Sequence, residues 1–252
     1  MILSFGLSSG KIVLDNIIRI LYYYTMITHN PIYNYQQLQR IDSTNGRRYN
    51  TPTGHLPSVT TILSATKSQE SKQKLQEWKN RVGATEAERI TKEASNVGTI
   101  MHSILEHWVL NKEYDPGNNM IHKQAKMMAD KVKENISPFI TEIWGSEVNL
   151  YYPDLYAGTT DLVGMWKEKP AILDFKQTNK PKKEEHVEDY YLQLTSYALA
   201  HNELYGTDIK EGHILMCSRE LQYQQFDLLP ENFSYWEDKL LARLELFYSL
   251  SK

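Results

Sequence analysis

Apolar residues recur with a helical period through most of the first half of the chain. The spacing predicts a short helix over 59–65 with Ser58 as its N-cap, then helices over 72–82 and 85–110, the last broken near Gly98. Another amphipathic helix is predicted over 120–144, bent before a proline. The turn-rich segment over 31–50 predicts a small hairpin or loop.

From Glu147 onward the pattern changes to short runs of alternating or continuous apolar residues. It predicts strands over 147–152, 157–166 and 170–177, a helix over 186–204, strands over 212–218 and 221–229, and a closing helix over 230–250. This order predicts an α/β fold of the mixed α+β kind, in which a central mixed sheet is flanked by helices.

The pattern also predicts how the chain is divided. We expect residues 31–252 to form one domain, with a helical region over 58–144 arching over a sheet core over 145–252. Residues 1–30 are interpreted as an N-terminal appendage. Its apolar stretch over 12–27 is too short and too charged to span a membrane, so no membrane partner is expected.

Composition narrows the functional classes. A chain of 252 residues with 41% hydrophobic and 23% charged residues is an ordinary globular protein. The net charge of −3 argues against coating nucleic acid by bulk charge, although basic residues can be confined to one cleft. The single cysteine, Cys217, excludes an intrachain disulfide and a four-cysteine iron–sulfur cluster. We therefore expect an intracellular protein with Cys217 buried.

The clearest chemical pattern consists of Asp161, Asp174 and Lys176. The last two are two residues apart on one predicted strand and share a face, whereas Leu173 and Phe175 would point into the core. A short hairpin loop would place Asp161 beside Asp174. Carboxylates hold Mg²⁺ or Mn²⁺, and an ammonium can position water and stabilise charge, as phosphodiester cleavage requires. The D-x-K motif alone also fits a solvated ion pair.

Two helical motifs accompany these strands. His102 lies at the border of an apolar helix face, where a neutral imidazole could complete a metal's ligand set or simply pack at an interface. Gln193 and Tyr197 are four residues apart on one face of the later helix. They could bind phosphate or orient Lys176, or form ordinary helix surface.

Together these motifs resemble the RecB-like branch of the PD-(D/E)XK nuclease superfamily. That branch has G-T-x-x-H on a helix, G-x-x-D on a strand, D-x-K on the next strand and Q-x-x-x-Y on a helix, and all four occur here in that order. The segments over 56–63 and 75–81 narrow the resemblance to the mitochondrial genome maintenance exonuclease group and its bacteriophage relatives. It covers about residues 33–220 and implies a restriction-endonuclease-like core.

The resemblance implies a role for each motif residue. The metal, Mg²⁺ or Mn²⁺, would be held by His102, Asp161, Asp174 and the backbone carbonyl of Phe175. Lys176 would be the catalytic lysine, acting with the two aspartates and supported by Gln193 and Tyr197. Glu147 resembles an accessory acid. The implied protein is a monomeric DNA exonuclease for repair or recombination that takes single-stranded ends through a channel too narrow for a duplex.

Several further residues are candidates for DNA contacts. Backbone phosphates could be bound by basic side chains, although each could equally be a solvated charge: Arg47, Arg48, Lys79, Arg81, Lys180, Lys182 and Lys183. Tyr33, Tyr35 and Tyr49 could stack on bases in the channel. Two alternatives stay open, a structure-specific or restriction-type endonuclease and a catalytically inactive DNA-binding module.

Overall fold

The computed structural model describes residues 27–250. The strands in this part of the chain are β1 (Thr28–His29), β2 (Gln39–Ser43), β3 (Gly46–Thr51), β4 (Gly54–Pro57), β5 (Ile140–Tyr152), β6 (Tyr156–Trp166), β7 (Lys169–Thr178), β8 (Glu211–Ser218) and β9 (Tyr223–Leu228). The helices are α1 (Val59–Ala65), α2 (Gln69–Val82), α3 (Ala84–Val109), α4 (Met120–Ile136), α5 (Glu188–Tyr205) and α6 (Pro230–Ser249). None of these described helices combines the length and apolar character that crossing a membrane requires.

The main sheet has the strand order β1-β5-β6-β7-β8-β9 among the described residues. β1 runs parallel to β5 and β7 parallel to β8, and the other neighbours are antiparallel. Along β7, Ile172 packs into a core with α1, α5 and α6, whereas Leu173 packs into a second core with α3 and α4. The sheet is therefore covered on both faces, and the predicted mixed α/β class is confirmed.

The hairpin between β6 and β7 has the predicted position. Lys167 and Glu168 form its turn with positive φ angles of 48° and 67°, a combination typical of two-residue hairpin loops. The ladder between the two strands runs from Trp166 opposite Lys169 to Leu162 opposite Leu173. Beyond that pair, β7 continues its pairing with β8 and β6 its pairing with β5, so the two strands form a fork.

Three boundary predictions were wrong. The helix predicted over 120–144 ends at Ile136, because Pro138 lacks the N–H that a helix needs and the segment from Ile140 pairs as strand β5. The predicted boundary between helical region and sheet core, at 144/145, therefore falls within β5. Helix α3 runs unbroken through Gly98, since its buried neighbours Val97 and Met101 outweigh the glycine's cost of about 1 kcal/mol.

The N-terminal part of the described chain also adds structure that the sequence did not predict. The hairpin or loop expected over 31–50 is a three-stranded sheet of β2, β3 and β4, spanning residues 39–57. The appendage predicted over 1–30 lies outside the described residues up to residue 26. Its last residues belong to the domain, because Thr28 and His29 pair with β5. Helix α1 begins as predicted, with the Ser58 hydroxyl accepting from the Thr61 N–H.

Candidate metal centre

The predicted site residues meet at the fork between β6 and β7. A cavity of about 470 Å³ opens there, between α3, α5, the main sheet and the β2–β3 hairpin. The predicted residues that line it are His102, Glu147, Asp161, Asp174, Lys176, Gln193 and Tyr197. Five separate segments of the sequence, α3, β5, β6, β7 and α5, therefore contribute to one site.

Asp161 and Asp174 occupy the position directly beyond the last β6–β7 ladder pair. The Phe175 N–H donates to Asp161 Oδ2 at 2.6 Å, so a backbone group of β7 holds the carboxylate of β6. Phe175 itself is buried, as predicted, against α3 and α4. The metal-binding role of its carbonyl stays a prediction.

Lys176 lies against Asp174. Its ammonium contacts Asp174 Oδ2 and stands 5.2 Å from the centre of the Tyr190 ring. Burial opposes the charged form of Lys176, but the neighbouring Asp174 and Asp161 outweigh it and raise the lysine's pKa. Burial raises the pKa of Asp174 to about 6, although Lys176 opposes that rise. The lysine is thus held as a cation beside the carboxylate.

His102 reaches the same carboxylates from helix α3. Its Nδ1 lies 3.4 Å from Asp161 Oδ1, and its ring meets the Phe175 ring edge-on at 6.1 Å. Burial opposes protonation of His102, yet the negative charge of Asp161 raises its pKa. Burial likewise opposes ionisation of Asp161, whose pKa is nevertheless held below its ordinary value by His102, Lys176 and the Phe175 N–H.

Glu147 completes the acidic side of the cavity. It lies within β5 and has a φ of 51°, a left-handed conformation that costs a non-glycine residue about 1–3 kcal/mol. Withdrawal from water and the charge of Asp161 raise the pKa of Glu147 to about 7. One ligand atom each from His102, Glu147 and Asp161 lies within 4.8 Å of the others. This strained backbone therefore places an exposed carboxylate beside His102 and Asp161.

A divalent cation fits this set of donors. Carboxylate oxygens and an imidazole nitrogen suit Mg²⁺ and Mn²⁺. Burial, and after it the charge of Asp161, raises the pKa values of Glu147 and Asp174. A cation at this place would favour the ionised form of both carboxyl groups. Among the described residues, His102, Glu147 and Asp161 form the group of three whose ligand atoms lie close enough together to hold a metal ion. Asp174 is not part of that group, so its role as a metal ligand stays a prediction.

Gln193 and Tyr197 form the floor of the cavity on helix α5. Gln193 Nε2 donates to the Tyr197 hydroxyl at 3.2 Å, and both side chains are buried. Burial raises the pKa of Tyr197, so its hydroxyl stays neutral. Gly158 explains how the ring comes so close to β6, because a Cβ at that position would lie 2.7 Å from Tyr197 Cε1. The glycine of the G-x-x-D motif thus makes room for the tyrosine of the Q-x-x-x-Y motif.

Most of the basic residues predicted to contact DNA lie elsewhere. Arg47 lines the cavity, whereas the following residues do not: Arg48, Lys79, Arg81, Lys180, Lys182 and Lys183. The Arg48 guanidinium instead donates to the His55 carbonyl, and the Lys182 backbone N–H donates to Gln224 Oε1. Any contact of these residues with DNA stays a prediction.

Base stacking on the three tyrosines is not supported by their surroundings. Tyr33 and Tyr35 pack with Trp144 and Tyr205 around the buried His201, away from the cavity lining. Tyr49 lines the cavity, but it is only 2% exposed and its hydroxyl bonds to Thr159. These three tyrosines therefore pack against other side chains, Tyr49 as a buried residue and Tyr33 and Tyr35 as half-buried ones.

Sequence reasoning missed two residues at or beside the site. Arg40 lines the cavity, and Tyr190 stands over the Lys176 ammonium. Glu106, which the helical period places one turn after His102 on the same side, lines the cavity as well. Tyr190 precedes Gln193 by three residues, so the helical period places it on the same face and could have identified it. Arg40 gave no such signal, because the strand that orients it was not predicted.

The fold and site therefore define a class of centre: two carboxylates at a strand fork, an imidazole from a neighbouring helix and a half-buried lysine. In sequence, the chain is similar at low identity to mitochondrial genome maintenance exonuclease 1. It is 28% identical over 210 residues to the Mus musculus protein, covering 78% of this chain and 60% of that protein. It is 25% identical over 210 residues to the Xenopus tropicalis protein, covering 76% and 57%.

The chain thus spans less than two thirds of the length of these curated relatives. Among solved structures, it is similar to the crystal structure of a candidate exonuclease from Eubacterium rectale. The TM-score is 0.47 with 12% sequence identity, over 62% of this chain and 66% of that chain. No family model matches the chain.

Proposed function

We propose that this chain is a divalent-metal-dependent DNA nuclease of the PD-(D/E)XK superfamily, RecB-like branch. The observation that carries the proposal is the meeting of Asp161, Asp174, Lys176 and His102 around one cavity. The similarity to two proteins named as exonucleases supports the same reading. Hydrolysis of phosphodiester bonds is the reaction that this set of side chains suits best.

In this proposal, His102, Asp161 and Asp174 would hold Mg²⁺ or Mn²⁺, with Glu147 as an accessory ligand. When bound, such an ion orients the scissile phosphate, acidifies water and offsets the charge of the transition state. The Phe175 N–H fixes the Asp161 carboxylate at 2.6 Å and so prepares one ligand in advance. Preorganised ligands of this kind avoid the cost of reorganisation during the reaction.

Lys176 would act on the scissile phosphate as a fixed positive charge. Its contacts with Asp174 and the Tyr190 ring keep the ammonium in the cavity. From there it can donate hydrogen bonds to the attacking water and to a non-bridging phosphate oxygen. Gln193 and Tyr197 form a hydrogen-bonded pair on the same cavity wall, and we infer that they support this end of the site.

We further propose that the substrate is a single-stranded DNA end and that the protein acts in DNA repair or recombination. The site lies in a cleft walled by α3 on one side and the β2–β3 hairpin on another. A duplex is bulkier than one strand, so walls on several sides favour a single strand. The alternatives of an endonuclease and of an inactive DNA-binding module lead to different outcomes in one assay.

The test compares labelled linear single strands, linear duplexes and circular single strands with Mg²⁺, Mn²⁺ or EDTA. We expect cleavage of the linear single strand only with metal. The variants Asp174→Ala and Lys176→Ala should each lower the cleavage rate by about 100-fold or more. Lys126→Ala is the matched control, since that lysine forms an exposed ion pair with Asp130 on α4.

Each alternative gives a distinct result in that assay. Rapid cleavage of circles would identify an endonuclease and overturn the preference for ends. Metal-independent cleavage, or normal activity of purified Lys176→Ala, would refute the proposed centre. If the protein binds single strands but cleaves none of the substrates with either metal, the chain is the catalytically inactive DNA-binding module.

A further inference from the structure

The β2–β3 hairpin presents two arginines on the face that borders the cavity. The strand register places Asp42 opposite Arg47 and Arg40 opposite Tyr49. Arg40 and Asp42 are two residues apart on β2, so all four side chains share one face of the hairpin. Arg40, Arg47 and Tyr49 line the same cavity as Lys176. Positive charge is thus built into the wall opposite the catalytic strand.

This wall is held firmly in place. The Arg47 N–H donates to Thr61 Oγ1 at 2.9 Å, and the Arg47 carbonyl accepts from the Ser58 N–H at 2.8 Å and the Thr61 hydroxyl at 3.1 Å. The Tyr49 hydroxyl bonds at 3.1 Å to Thr159 Oγ1 on β6, the strand that carries Asp161. The hairpin is therefore tied both to α1 and to the metal-binding strand.

The charges of the hairpin face do not cancel. Asp42 accepts from Arg40 Nε at 2.8 Å and from Arg47 Nε at 3.1 Å, so one carboxylate is shared by two guanidinium groups. The side chains of Arg40 and Arg47 are 51% and 39% exposed to solvent. A guanidinium has five N–H donors in a planar fork that matches phosphate oxygens. The pair carries one excess positive charge and donors that an anion can reach.

We propose that Arg40 and Arg47 form a phosphate subsite for the nucleic-acid strand, next to the metal centre, with Asp42 holding both guanidinium groups in register. The subsite would bind a backbone phosphate adjacent to the one being cleaved, and it would do so without regard to base sequence. This inference rests on the proposed nuclease function and adds the residues that position the strand. Arg48, on the opposite face of the hairpin, takes no part.

The first experiment measures binding of a fluorescent single-stranded oligothymidine in a Lys176→Ala background, which prevents cleavage. Arg40→Gln and Arg47→Gln should each weaken binding about tenfold. Each should also make the negative slope of log K against log salt shallower by about 0.7. Arg48→Gln removes the same charge from the same hairpin and should leave both quantities unchanged. Equal effects of all three variants, or unchanged salt slopes, would overturn the subsite.

The second experiment locates the phosphate. Neutral methylphosphonate groups replace the phosphates of the oligonucleotide one at a time. We expect one position at which the parent loses affinity while the Arg40→Gln/Arg47→Gln double variant loses nothing further. Losses that are the same for parent and double variant at every position would overturn the inference while leaving the nuclease intact. A parent that binds no strand at all would instead refute the proposed function.

Discussion

His201 gives a quantitative prediction about stability, because its hydrogen bonds define one protonation state. The Thr207 hydroxyl donates to Asn202 Oδ1 at 2.7 Å and so accepts from His201 Nδ1 at 2.8 Å. Nε2 is then the unprotonated nitrogen and accepts from the Tyr35 hydroxyl at 3.0 Å. Burial lowers the pKa of His201 from 6.5 to about 4. A second proton would turn Nε2 into a donor, so that the Tyr35 hydroxyl could no longer donate to it, and would place a buried charge among aromatic rings.

The direction and size of the effect follow from this difference in pKa. Below pH 6.5 the unfolded chain takes up a proton at His201, whereas the folded protein does not until the pH approaches 4. The contribution of neutral His201 to the free energy of unfolding is therefore fully present above pH 6.5 and is lost as the pH falls toward 4. The shift corresponds to a total of about 3 kcal/mol, of which about 2 kcal/mol is lost between pH 7.5 and pH 5.0.

The assay is urea unfolding of the wild type and of His201→Gln at both pH values. The variant should be less stable at pH 7.5, because glutamine does not fill the place of the imidazole ring. It should lose less stability on acidification, because glutamine stays neutral and can accept from the Tyr35 hydroxyl. The free-energy gap between the two proteins should narrow by about 2 kcal/mol at pH 5.0. The subtraction removes the contribution of other acid-sensitive groups. A gap that is the same at both pH values would refute the assigned tautomer and the burial argument.

Two further variants test the candidate site. His102→Ala should raise the Mn²⁺ concentration needed for half-maximal cleavage at least tenfold, a loss of about 1.4 kcal/mol, and an unchanged metal requirement would exclude His102 as a ligand. Gly158→Ala should destabilise the fold by about 1–3 kcal/mol and reduce cleavage, since its Cβ would lie 2.7 Å from Tyr197 Cε1. Gly98→Ala, whose Cβ meets its nearest neighbour at an ordinary 3.8 Å, is the control, and equal thermal unfolding shifts in both variants would contradict the steric argument.

Local patterns identified most of the fold. The alternation of Leu173, Asp174, Phe175 and Lys176 predicted which side chains face the core and which face the cavity, because a strand has a strict period of two. The start of β5 was missed, since residues 140–144 are apolar enough to extend a helical pattern. Its strand state depends on pairing with β6, a contact between segments that a local pattern does not contain.

The site was predictable where chemistry and spacing coincide. Asp161 and Asp174 came from a motif, and their proximity follows from the hairpin turn at residues 167 and 168. Arg40 was not predictable, because its orientation depends on the β2–β3 register and on the anchoring of that hairpin to α1. Tyr33 and Tyr35 were misinterpreted, since composition alone does not distinguish a base-stacking ring from one packed in the core.

The close approach of Gly158 to Tyr197 also constrains how variants of this protein can be selected. A library that randomises position 158 alone should be enriched in glycine, because a Cβ at this position would lie 2.7 Å from Tyr197 Cε1 and the ring would have to shift. Randomising both positions opens a different set of sequences, in which a smaller residue on α5 is exchanged for a larger one on β6. Positions 158 and 197 are thus coupled in selection, and variants at one of them are best explored together with variants at the other.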